Sequence, residues 1–96
     1  MPNMRREYLE LVVEEAAEVI QVAMEIFRFG ADDSHPSYHD GIPDTEALTI
    51  EVGRLLHCID LLGLDPGLLQ GAKLAKEEEL RKFGPGGAYL KEKRGQ

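Results

Sequence analysis

The chain has a single cysteine, Cys58, in 96 residues. An internal disulfide is thereby excluded, and such usage fits a reducing interior. Long apolar runs are missing as well: none approaches the roughly 18 residues that a membrane-spanning helix needs. There is no basic excess either. Lys and Arg number 11 against 18 Asp and Glu, a net charge of −7, which argues against a nucleic-acid polymer as partner and against a polybasic membrane patch. The opening residues, Met1-Pro2-Asn3-Met4-Arg5-Arg6, lead into no unbroken apolar stretch, so no signal peptide is expected. Strand-like alternation and internal repeats are also lacking. What these absences leave is an acidic cytoplasmic protein, a single domain over residues 1–96 with a modest core if it stands alone.

What the chain does have is helical periodicity. From about Arg5 to Phe29, wound at about 100° per residue from Glu15, Leu11, Val22 and Phe29 fall within about 40° on one side. Tyr8, Val19 and Ile26 fall within about 40° on the other. Val12, Val13, Ala16, Ile20, Ala23, Met24 and Phe27 continue the arc. The polar stripe of Glu7, Glu10, Gln21, Glu25 and Arg28 is narrow and lies elsewhere. Glu15 is thus expected in the middle of the buried side, with Glu18 at its edge. Asn3 is placed to cap this helix and Gly30 to stop it.

A second helix is predicted from Asp44, as N-cap, to Leu62, with Gly63 closing it. Measured from Glu51, Ala47 and Cys58 lie within about 40° on one side, and Leu55 and Leu62 within about 40° on the other. Leu48, Val52, Leu56 and Ile59 extend this arc, and Arg54 sits near its edge. Asp65-Pro66 reads as the N-cap and first residue of a third helix. That helix runs to about Phe83 and stops at Gly84-Pro85-Gly86-Gly87. The connection 31–43 is a long loop of the kind that serves as a lid or binding loop, and residues 85–96 form a tail whose end reads as a short basic helix or a frayed segment. The expected fold is all-α, a helical hairpin or bundle of three to four helices. The first helix carries an apolar arc of roughly 240°, against about 100° or more for a surface helix. Two short partners cannot cover it, so the bundle should be completed by oligomerisation with a second copy.

Two helices that each direct a Glu into one core require an explanation. A buried carboxylate is costly unless a cation, a metal ion or a proton compensates it. The two segments are Glu14-Glu15-Ala16-Ala17-Glu18 and Glu51-Val52-Gly53-Arg54. Together they resemble the MazG-like, all-α nucleoside triphosphate pyrophosphohydrolases, which carry Glu-Glu-x-x-Glu followed by Glu-x-x-Asp. The wording of Glu14 to Gln21, the Arg28-Phe29-Gly30 helix end, the acidic His-Pro loop and Leu48 to Leu62 are similar to small phage and bacterial members. The resemblance spans about residues 5–84.

That resemblance implies cleavage of the α–β phosphoanhydride of a (deoxy)nucleoside triphosphate to monophosphate and pyrophosphate, with Mg²⁺ or Mn²⁺ bound. It implies Glu15, Glu18 and Glu51 as metal ligands and Glu14 as the base for the attacking water. Lys73, Lys76 and Asp44 would meet the substrate, and the oligomer would be a homodimer or homotetramer. Residue types suit the chemistry, since Mg²⁺ prefers hard oxygen ligands and keeps several waters.

One position departs from the pattern. Where the family has Asp, this chain has Arg54, which neither binds a metal nor deprotonates. Three outcomes are open. The site holds fewer metals and turns over with Arg54 on phosphate; or it binds without catalysis, as a catalytically silent helical oligomer that takes nucleotide or a protein partner with Arg54 as internal counter-ion; or the cluster is a purely structural Arg–Glu network.

Elsewhere the readings are plainer. Glu77–Arg81 and Glu78–Lys82 are spaced as solvated i,i+4 pairs. His35, Tyr38 and His39 in the loop suit base or ribose contact better than metal binding. Asp44 has a sufficient second role as helix cap, His57 and Asp60 fall on the polar side, and Cys58 reads as a small core residue.

Overall fold

A computed structural model describes residues 3–30 and 42–83 of the protein. Among these residues there are three helices and no strand: α1 (Arg6–Phe29), α2 (Asp44–Leu61) and α3 (Pro66–Lys82). None of them is long and apolar enough to cross a membrane. Most of the expected loop 31–43, with His35, Tyr38 and His39, lies outside the described residues, as does the tail 85–96. The chain divides into two compact units, Met1–Leu64 and Asp65–Gln96.

The first unit is a helical hairpin in which α1 packs against α2. Its direction is fixed at one end by a backbone hydrogen bond. The Asn3 N–H donates to the Leu62 carbonyl at 2.6 Å, so the start of α1 lies beside the end of α2 and the two run antiparallel. Each terminus has an identifiable cause. Gly30 stops α1 with φ of 95°, and its N–H closes back on the Ile26 carbonyl at 2.9 Å. Gly63 follows α2 with φ of 59°, the left-handed conformation that a side chain would strain. Its N–H bonds the Asp60 carbonyl at 3.1 Å.

Two N-termini differ from expectation. Asn3 does not cap α1: its Oδ1 accepts the Arg5 N–H at 3.2 Å, and Arg5 is the capping residue, with no side-chain capping hydrogen bond. An Asn two residues upstream satisfies its own turn first, the usual competition for short polar side chains. Asp44 is likewise the first helical residue of α2 rather than its cap, which is Pro43.

The second unit carries α3. Asp65 caps it as expected, accepting the Leu68 N–H at 2.9 Å, and Pro66 occupies the first helical position, where no N–H is needed.

Candidate functional site: a carboxylate pair in the hairpin seam

Burial along the hairpin follows a four-three spacing on both helices. On α1 the line is Tyr8, Val12, Glu15, Val19, Val22 and Ile26; on α2 it is Asp44, Leu48, Glu51, Leu55, Cys58 and Leu62. Every member is buried or half-buried. This is the spacing that lets side chains of one helix enter the gaps of another. Val22, Ala47 and Leu62 are the fully buried apolar residues among those described. A carboxylate takes the third place on each line. Counting from the Asn3–Leu62 bond, Glu15 lies twelve residues on and Glu51 eleven residues back. Three of the steps to Glu15 precede the helix; at about 1.5 Å per helical residue and about 3.3 Å per extended one, the two stand within about two turns of each other in height.

Both carboxylates are incompletely satisfied. Oε2 of Glu15 and Oε2 of Glu51 are buried and accept no hydrogen bond. The other oxygen of Glu51 is taken: Arg54 Nη1 donates to Oε1 at 3.2 Å. The Glu51 side chain is 15% exposed and that of Arg54 63%, so the guanidinium keeps most of its five donors toward solvent. Buried, unpartnered carboxylate oxygens are what a small hard cation would satisfy, and Mg²⁺ characteristically takes only one or two carboxylates. The donor pair therefore fits the ion that the family resemblance implies.

The remaining sequence-predicted residues differ in setting. Glu14 and Glu18 are exposed on α1, to either side of Glu15 in sequence. Among the described residues no group of three His, Cys, Asp or Glu is arranged to hold a metal ion. Asp44 is completely buried. Lys73 and Lys76 line a depression of about 430 Å³ on the second unit together with Glu77 and Leu80. Lys76 also pairs with Glu79 at 2.7 Å.

The solvated pairs near the end of α3 are partly as expected. Lys82 pairs with Glu78 at 3.3 Å, whereas Arg81 bonds Glu78 rather than Glu77. The Arg81 hydrogen bond, followed by that from Lys82, holds the Glu78 carboxyl below its ordinary value of 4.5. At the other end of the chain, a backbone hydrogen bond and then Arg5 lower Glu7.

Glu25 departs from the periodicity in the opposite sense to the exposed apolar residues. Glu25, placed on the polar stripe, is only 5% exposed, and its Oε2 accepts no hydrogen bond. It stands seven residues after Glu18, hence within about 20° of it around the helix, yet Glu18 is exposed and Glu25 is not. A helical wheel averages over the length of the helix and cannot register what covers one end of it. The signal that was available is the i,i+3 step from Val22, the most buried apolar residue of α1.

The far side of α1 is apolar and open. Val13, Ile20 and Phe27, spaced seven apart, are 68%, 63% and 83% exposed. Val52 and Leu56 of α2, expected to extend the buried arc, face outward too.

No protein-family model matches the chain, and no curated protein and no solved structure is similar to it.

Proposed function

We propose that the protein is a MazG-like, metal-dependent pyrophosphohydrolase that cleaves a (deoxy)nucleoside triphosphate to monophosphate and pyrophosphate in the cytoplasm. The observation that carries this reading is the pair Glu15 and Glu51. Each sits at the centre of a facing helix line, and each has one buried oxygen without a partner. With Arg54 on only one oxygen of Glu51, plain core carboxylates would leave a cost that the protein groups only partly compensate. As ligands of a divalent ion they are compensated.

Bound there, Mg²⁺ or Mn²⁺ would neutralise triphosphate charge and make a coordinated water more acidic. Glu15 and Glu51 would hold it from the seam, and Glu18, a turn after Glu15, would join them from the exposed flank. Glu14, next to Glu15 and open to solvent, takes the proton of the attacking water. As the new bond from water to phosphorus forms, the bridging bond of the α–β anhydride breaks and pyrophosphate leaves with the bridging oxygen. Arg54 offers its free donors to the phosphate oxygens, a planar fork suited to that anion. The open stripe Val13, Ile20 and Phe27 supports assembly with a second copy of the chain, as a homodimer or homotetramer, since contiguous exposed apolar surface of this kind marks an interaction face.

A second reading has its own observation. Among the described residues no three-residue metal group is preformed, and Arg54 already neutralises one oxygen of Glu51. A catalytically silent oligomer that binds nucleotide or a protein partner would look this way. Incubation with a panel of NTPs and dNTPs plus Mg²⁺ or Mn²⁺ separates the two. Hydrolysis predicts pyrophosphate from at least one nucleotide; its absence from every reaction selects the silent binder.

A further inference from the structure

From the geometry of one ion pair, we infer that Arg54 makes metal uptake dependent on nucleotide, which rests on the reading of Glu15 and Glu51 as the metal pair. Glu51 has two oxygens with different fates. Oε2 is buried and unpartnered, while Oε1 is held by Arg54 Nη1 at 3.2 Å. With the guanidinium in place, Glu51 presents one oxygen to an ion, and the ion meets a fixed positive charge one helical turn away. Both effects weaken metal binding in the empty protein.

The pair is not locked. Arg54 is 63% exposed and its bond to Glu51 spans a single i,i+3 step, a type of pair that contributes little and is readily exchanged. A triphosphate carries more negative charge than one carboxylate and offers the guanidinium bidentate partners. Arriving nucleotide therefore draws Arg54 outward, and the second oxygen of Glu51 becomes available to the metal. Nucleotide and metal then reinforce each other's binding, by the same factor in each direction. Such a device keeps the site from filling with free divalent ion and admits the metal together with its nucleotide.

The test is Mn²⁺ binding to the full chain, followed by the electron paramagnetic resonance of free Mn²⁺. Wild type is compared with Arg54→Gln, with and without a non-hydrolysable nucleoside triphosphate analogue. Arg54 is exposed, so the variant should fold; circular dichroism checks this, and Arg54→Lys serves as a second variant that keeps the charge but not the fork. In the nucleotide-free protein, Arg54→Gln should bind Mn²⁺ about two- to fivefold more tightly, the range such an ion pair represents. The enhancement of Mn²⁺ affinity by the analogue should be smaller in Arg54→Gln than in wild type, with Arg54→Lys between them. Equal or weaker Mn²⁺ binding by nucleotide-free Arg54→Gln overturns the coupling while leaving the metal site standing. If no protein binds Mn²⁺ under either condition, the coupling and the metal reading fall together.

Discussion

At the scale of single residues, the account turns on which carboxylates are costly where they stand. Glu15 and Glu51 each leave a buried oxygen without a hydrogen bond, a cost that a bound metal ion would offset on the proposed reading. Glu15→Gln and Glu51→Gln should therefore remove metal-dependent pyrophosphate release while leaving thermal stability equal to wild type or higher, since an amide is easier to bury than a charge. Turnover at the wild-type rate in both variants would take these residues out of the mechanism. Glu25 offers a contrasting case: it is buried, carries an unpartnered oxygen, and lies ten residues beyond Glu15. Replacing it by an unbranched apolar side chain, Glu25→Met, should raise stability by about 1–3 kcal/mol, the penalty of a buried unsatisfied group. A loss of stability on chemical denaturation would show that Glu25 is well compensated in the native state.

At the scale of helices, much was legible because the signals are local. Asp65-Pro66 began α3 and Gly30 and Gly63 ended α1 and α2 where the sequence placed them, each through its own hydrogen bonds or backbone angle. The central position of Glu15 and Glu51 was also legible, since a four-three repeat writes the seam directly into the sequence. What periodicity could not supply was the outcome of competition between neighbours. Asn3 bonded its own turn instead of the helix, Arg81 chose Glu78 over Glu77, and Glu25 was buried despite polar company. The pairing on α3 has a pH signature. Glu78 has a folded value below 4.5, so its contribution is complete above that value and is lost as pH falls through the lowered one. Carbon-13 NMR titration should place the Glu78 midpoint below 4.5 and move it upward in Arg81→Gln; a midpoint at or above 4.5 in wild type would contradict the pairing.

At the scale of the whole molecule, two expectations meet at α1. One face of the helix joins α2 at the acidic seam, and the opposite face presents Val13, Ile20 and Phe27 to solvent. With so few apolar residues fully buried in the hairpin, that open stripe is where a second copy would add its core. Ile20→Glu and Phe27→Glu should lower the sedimentation coefficient to that of a single chain; wild type sedimenting as a monomer would remove the oligomer from the account. The seam itself is tested most directly by anomalous scattering from crystals grown with Mn²⁺ and a non-hydrolysable nucleoside triphosphate. A manganese peak should lie within about 2.2 Å of carboxylate oxygens from both Glu15 and Glu51. A seam with no such peak, its two carboxylates bonded instead to protein groups or to water alone, would contradict the central claim.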